Sequence, residues 1–250
     1  MPLLSDLIDL PASSLIAITG AGGKTTTMYS LAGELARHGK RVITTTTTQI
    51  FYPEPGETDF LIIDPNTETL LKTIDEAWSQ CHHITVAGSI LRADKLGGLQ
   101  PEQPHELLLK SNAHAVIVEA DGARHRMIKA PAEHEPVIPS HTNVALLLMS
   151  AEAINEPLDE NIAHRPELIA SVTGIRVGDV LSPAVIAKLM TSEQGALKHI
   201  PLSASAYLLI THASLASKTA IRELIHLVQQ STRKVGVLCS NKPGEWFADK

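Results

Sequence analysis

The chain has 250 residues, 44% of them hydrophobic and 19% charged, enough to bury a substantial core in one α/β unit with or without a small appendage. A formal net charge of −6 argues against a dedicated nucleic-acid binder, and 3% aromatic residues leave little for base-stacking platforms. Cys81 and Cys239 lie far apart and outside any CxxC pair, so reduced thiols in a cytoplasmic setting are expected.

The first residues, MPLLSDLIDLPASS, carry Asp6 and Asp9 where a secretory signal would be basic and then apolar. No run approaches the ~18 apolar residues of a membrane span, so no membrane contact is expected. LIAIT (Leu15 to Thr19) reads as the first strand, and Lys24 to Arg37 as a helix with Met28, Leu31, Leu35 and Ala36 at helical spacing and Gly39 as its stop. RVITTT, DFLII and ITVAG read as three further strands, with a helix from about Thr67 to Trp78 between the last two. Tyr52 to Glu57 (YPEPGE) is expected to be a surface turn, as are His82 and His83, which receive no role.

A helix over Pro104 to Lys110 should precede the buried strand AVIVEA (Ala115 to Ala120), and NVALLLM follows a loop rich in proline and histidine. Residues 151–203 show no clear strand and read as a helical insert. AYLLIT, a helix from Ser214 to Gln230 and KVGVLC then resume the alternation, and SNKPGEWFADK reads as a short ordered end that frays. The expected fold is α/β and P-loop NTPase-like, a mostly parallel sheet flanked by helices. Its core would be 1–150, its helical insert 151–203, and its closing strand-helix-strand 204–250.

GAGGKTTT follows a strand and opens a helix, the setting a phosphate loop requires. Gly20, Gly22 and Gly23 permit left-handed backbone and close approach to phosphate oxygens, while Ala21 completes the turn. Amides from the loop to Thr26 would then point inward as a nest, at the positive end of a helix. Lys24 would reach the β- and γ-phosphates of ATP or GTP, and Thr25 would ligate Mg²⁺. The first glycine of GxxxxGK[ST] falls on Ile18, so the loop is a shortened variant.

Ligands of open α/β sheets bind beyond the carboxyl ends of strands, so two other strand ends should converge here. One is the threonine run Thr44 to Thr48, from which one of Thr46, Thr47 or Thr48, with Thr47 foremost, is a candidate for Mg²⁺ or, through water, a γ-phosphate. The other is VIVEADGARHR, where Glu119 and Asp121 look like a magnesium-supporting, catalytic pair of acids, and Gly122 allows close backbone approach. Two such acids on one face need a cation between them. Arg124 and Arg126 are suited to clamping anions. Further on, the proline-stiffened KAPAEHEPVIPSH presents Lys129, Glu133, His134 and Glu135, and HRPEL adds His164 and Arg165 as a substrate or partner surface. A metal site on His125, His134 and a glutamate matches no standard spacing.

ITGAGGKTT, VIVEADGARHRMIKAPAEHEPVIP and HRPEL together resemble the selenium-dependent molybdenum hydroxylase accessory proteins of the YqeC type. The resemblance implies a P-loop protein whose partner is a molybdenum hydroxylase or its cofactor-insertion machinery. It implies phosphate and Mg²⁺ binding by Lys24 and Thr25, and a functional surface of Glu119, Asp121, Arg124, Lys129, Glu133, His134 and Glu135. Where relatives tend to have an NKxD-like segment, this chain has Thr211, His212 and Ser214, which removes the acid that reads guanine. The shortened loop also resembles that of the Mur ligases, so the alternative to an NTPase accessory factor is an ATP-dependent ligase or kinase for a small anionic substrate.

Overall fold

The structure, a computed structural model, describes residues 2–242 and 244–248. In chain order the elements begin with α1 (Leu4–Leu7), β1 (Ser14–Gly20), α2 (Lys24–Arg37), β2 (Val42–Thr46), β3 (Gln49–Phe51), β4 (Phe60–Ile63) and α3 (Thr67–Ala77). They continue through β5 (His83–Ala87), β6 (Ser89–Arg92), β7 (Lys95–Gly97), α4 (Gln103–Lys110), β8 (Ala115–Glu119), β9 (Ile128–Lys129) and β10 (Val144–Ser150). The last part holds β11 (Ala163–His164), α5 (Pro166–Thr173), α6 (Pro183–Met190), β12 (Ser205–Thr211), α7 (Lys218–Gln229), β13 (Val235–Lys242) and β14 (Glu245–Phe247).

Continuous apolar runs such as Leu15-Ile16-Ala17-Ile18 and Leu146-Leu147-Leu148-Met149 belong to strands covered on both faces, which is how parallel sheets are buried. Among the described residues nine strands form one sheet, in the order β14-β13-β12-β10-β1-β8-β2-β5-β4. Every pairing in it is parallel except the β13–β14 edge. The architecture is therefore the expected α/β one.

Alternation along the strands assigns each face its helices. Ile16, Ile18, Leu146 and Leu148 pack with Met28 and Leu31 of α2 and Leu4 of α1. On the opposite face Leu15, Val116 and Val118 pack with Leu70 and Ile74 of α3 and Leu107 of α4. The other half of that face, Leu147, Met149, Leu208 and Ile210, packs with Ile169, Ile186 and Leu224 of α5, α6 and α7. No helix among the described residues is long and apolar enough to cross a membrane.

This arrangement sets the site. β1 lies between β8 and β10, with Ile18 opposite Glu119 and Gly20 opposite Leu148. The turn leaving β1 is thus flanked by the acid end of one neighbour and the carboxyl end of the other. Two small sheets sit above it: β3-β7-β6, and the parallel pair β9 with β11, in which His164 lies opposite Lys129. The second pair contradicts the reading of 151–203 as free of strands. α7 starts at Lys218, later than Ser214, because the Ser217 side chain caps the amide of Ala220 and residues 213–215 form a separate 3₁₀ turn. Cys81 is half-buried and Cys239 buried, with no disulfide between them. The fraying expected for the last two residues lies outside the described residues.

His83 also departs from expectation. It is the first residue of β5, 3% exposed, with Nε2 3.0 Å from the Thr44 hydroxyl, which lies 2.9 Å from that of Thr85. Burial lowers the His83 pKa to about 4, although the Asp59 carboxylate opposes the shift. The unfolded chain titrates near the ordinary value of ~6.5, so it takes the proton first as pH falls. Stability present above that value should be lost progressively toward pH ~4. Denaturant midpoints followed across this range should fall, and His83→Gln should flatten part of the fall. An unaltered pH slope in the variant would remove His83 as its cause.

Candidate functional site

The loop between β1 and α2 is fixed by glycine. Gly20, Gly22 and Gly23 have φ of 93°, 80° and 112°. A Cβ on Gly20 would stand 2.2 Å from the Leu148 carbonyl oxygen, and one on Gly22 2.6 Å from the Ser150 amide nitrogen. The loop therefore lies against the backbone of β10, and the Ala21 amide donates to the Leu148 carbonyl at 2.9 Å. Gly23 caps α2 without a side chain, so the first-turn amides at Lys24, Thr25 and Thr26 keep their donors for a ligand. A helix N-terminus of this kind favours an anion.

Lys24 lies buried between the two acids. Its Nζ donates to the Gly20 carbonyl at 2.9 Å and stands 3.6 Å from Glu119 Oε1 and 3.4 Å from Asp121 Oδ1. The cation that two neighbouring carboxylates require is thus a side chain of the loop itself. The Thr25 hydroxyl donates to Glu119 Oε2 at 2.7 Å. Burial raises the Glu119 pKa, while Lys24 and the Thr25 hydroxyl favour its charged form. Asp121 is used differently. Its Oδ2 accepts the Gly20 amide at 3.1 Å and pairs with Lys129 Nζ at 3.0 Å, which fixes the loop from behind.

From Asp121 the charges alternate outward. Lys129, 3% exposed, also donates to the Gly122 carbonyl at 2.7 Å and to Glu135 Oε2 at 2.8 Å. Arg165 then grips Glu135 with both guanidinium nitrogens, at 2.6 and 3.2 Å. Burial pushes the Glu135 pKa up, but hydrogen bonds from Arg165 and Lys129 win and hold it at about 2. Arg165 comes from the segment that the β9–β11 pairing ties to Lys129, so two residues of strand carry the cation across.

Above the loop opens a cleft of about 440 Å³. Gly22 to Thr26 and Glu119 form its floor, and Arg124, Arg126, His164 and Arg165 form one wall. Sequence reasoning missed the opposite wall, Gln49, Phe51 and Lys95, where the Lys95 ammonium lies 4.5 Å from the Phe51 ring centroid. Only the position of Gln49 directly after the threonine run hinted at it. Five cationic side chains line this cleft against two carboxylates, in a chain whose net charge is −6. Gly122 lines it with open space where a Cβ would be.

Other candidates stand elsewhere. Thr47 lies on the turn after β2, outside the cleft lining, and its hydroxyl donates to the Val137 carbonyl at 2.6 Å. Thr46 is the threonine that touches the acid strand, donating to the Glu119 carbonyl at 2.7 Å. Glu133 and His134 are exposed and also outside the lining. Among the described residues no group of three or more His, Cys, Asp or Glu could hold a metal ion. Behind the loop, Thr211 donates to the Gly22 carbonyl at 2.7 Å and borders a smaller pocket of about 70 Å³ with Thr26, Thr27, His212, Lys242 and Trp246.

Residues 16–167 match the family model described as YqeC protein. The chain belongs to the YqeC family. The match spans the loop, both acids, Arg124, Arg126, Lys129, Glu135, His164 and Arg165; of the small pocket it includes Thr26 and Thr27 and leaves out Thr211, His212, Lys242 and Trp246. The chain is 31% identical over 200 residues to the uncharacterized protein YqeC of Escherichia coli (strain K12), covering 78% of this chain and 75% of that protein. A solved structure, FlhF complexed with GTP and Mg²⁺, shares 13% identity at a TM-score of 0.46, with 99% of this chain and 74% of the other covered.

Two stability predictions follow from this geometry. Gly20→Ala combines left-handed strain with a collision against backbone, and should cost at least ~2 kcal/mol. Gly23→Ala meets nothing nearer than 3.9 Å, so it should cost less. Equal urea midpoints for the two variants would refute the packing argument. Lys129→Met leaves two buried carboxylates short of a cation, a loss of about 3–5 kcal/mol on the scale of broken buried pairs. A midpoint shift worth under ~1 kcal/mol would show that Lys24 and Arg165 suffice without it.

Proposed function

We propose that this YqeC-family protein binds a nucleoside triphosphate with Mg²⁺ at the loop from Gly20 to Thr26 and hydrolyses it, and that the cycle serves maturation of a molybdenum hydroxylase. The observation carrying the nucleotide reading is the Thr25–Glu119 hydrogen bond of 2.7 Å at the open N-terminus of α2. A hydroxyl and a carboxylate in contact beside a phosphate nest are a donor set suited to Mg²⁺, which takes few protein oxygens and keeps its waters. Thr25 and Glu119 would hold the ion, whose charge, when bound, offsets that building on the phosphate oxygens.

The chain's own groups divide the remaining work. First-turn amides of α2 receive phosphate oxygens, and Lys24 exchanges its contact with the Gly20 carbonyl for them. Asp121 keeps the loop in place through the Gly20 amide and is a positioning residue. The pocket bordered by Thr211 and Trp246 suits the nucleoside, and no carboxylate stands among its described lining residues. A site without that acid lacks the acceptor for guanine N1–H and N2–H₂ that enforces a strong preference, so ATP should bind at least as well as GTP. The maturation role rests on the family's motifs, GAGGKTT and VIVEADGARHR, and on the cleft that presents them together.

Calorimetry with ATP and GTP, with and without Mg²⁺, tests the nucleotide reading. Thr25→Ala should weaken binding about tenfold with Mg²⁺, or ~1.4 kcal/mol, and far less without it. Absence of binding by the unaltered protein for both nucleotides would end the proposal. For the partner, adding a cofactor-free molybdenum hydroxylase should raise the hydrolysis rate. A rate that never responds would remove the maturation role and leave the nucleotide site standing.

A further inference from the structure

We propose that the wall of Arg124, Arg126, His164 and Arg165 is a second anion subsite, which takes a small carboxylate- or phosphate-bearing molecule while the nucleotide occupies the loop. This deepens the reading above and rests on it only for the identity of the neighbouring ligand.

Space is the first argument. The same four residues border both the 440 Å³ cleft over the loop and a second cavity of about 300 Å³ on its far side. They face open volume in two directions, and the second cavity contains no residue of the phosphate loop. A ligand there would adjoin the nucleotide without displacing it.

Charge is the second. Among the described residues, no carboxylate lies within 4 Å of the guanidinium of Arg124 or Arg126. Arg165 is already bound to Glu135, so its role is to fix the wall and add donors. Glu160 and Glu167 also border the outer cavity, so its positive side is the wall it shares with the cleft. Two guanidiniums with fork geometry and no carboxylate within 4 Å, on the wall of an open cleft, are suited to bidentate recognition of an oxyanion.

The backbone supplies the third argument. Arg124, His125 and Arg165 have φ of 49°, 57° and 64°. Three non-glycine residues around one cleft are held in the left-handed region, a cost that folds retain where they pre-organise a ligand site. The effect is to hold two arginines toward the cleft and to place Arg165 at the start of α5.

His164 gives the site a reporter. Burial lowers its pKa to about 4, and the charges of Arg165, Lys129 and Arg124 add to that, with Glu135 opposing them. An anion on the wall would offset those cations and move the imidazole back toward its ordinary value. The experiment follows the His164 ring by NMR titration in the full chain, with inorganic phosphate and succinate added in turn. It is repeated with Mg²⁺ and a non-hydrolysable ATP analogue saturating the loop.

The expected result is an upward His164 shift with at least one probe, retained beside the analogue, and the responding probe tells carboxylate from phosphate. Arg124→Gln with Arg126→Gln should weaken probe binding about tenfold, as for loss of a charge-assisted pair. Both positions are on the surface side of the cleft, so folding should survive, and thermal melting checks it. A silent His164 with both probes, a probe expelled by the analogue, or unchanged affinity in the double variant would each overturn the subsite. If no nucleotide binds while His164 still responds, the nucleotide reading fails and the anion subsite remains.

Discussion

Asp121 carries the site. One carboxylate, 2% exposed, accepts the Gly20 amide and stands between two lysine ammonium groups, one from the loop and one from β9. A buried charge of this kind is costly unless paired and hydrogen-bonded. Here the pairing continues through Lys129, Glu135 and Arg165 until it reaches solvent. Counting Glu119 and Lys24, three carboxylates face three cations, a set that balances when Glu119 is charged, the form that Lys24 and Thr25 favour against its burial. Removing one member would leave its neighbours uncompensated, so loop position and attachment of the Arg165 segment become one property.

Pairing below leaves charge above. Lys24, Lys129 and Arg165 each face a carboxylate, so the cleft's further positive groups are Arg124, Arg126, Lys95 and the amides of α2. That concentrates positive potential in a concave region with low-dielectric walls, on a molecule negative overall. Anions are then drawn to one place.

Local signals in the sequence were strong for long, periodic elements. The helix expected over Lys24 to Arg37 has those bounds, since a glycine precedes it and Gly39 follows. β1, β8 and β10 stood out because strands covered on both faces are largely apolar, and β2 because its residues are all β-branched. Lys24, Thr25 and Glu119 were legible because the glycine loop and the acid strand end are contiguous motifs. The β3-β7-β6 sheet was not: its strands are three or four residues long, and Gly88, Gly97 and Gly98 look like loop. Gly98 in fact packs its backbone against Thr46 and Thr47, where a Cβ would lie 2.5 Å from a carbonyl. Nor could any spacing rule have linked Asp121 to Lys129, Glu135 and Arg165, because that chain is made by β9 pairing with β11. His83 was misjudged because a histidine pair beside a cysteine looks solvent-facing, whereas Thr44 and Thr85 give it buried partners.

The contact between Gly20 and Leu148 has a consequence for biosynthesis. The glycine loop is made early, yet the backbone it lies against belongs to β10, far downstream, and the hydroxyl that holds the Gly22 carbonyl belongs to Thr211. A growing chain emerging from the ribosome therefore holds its glycine loop long before it can shape it. Such long-range closure is slow and exposes apolar strands while it waits. Nascent β2 can pair with β5, but β1 has no strand partner until β8 arrives, which makes this interval the one in which a chaperone would have something to protect.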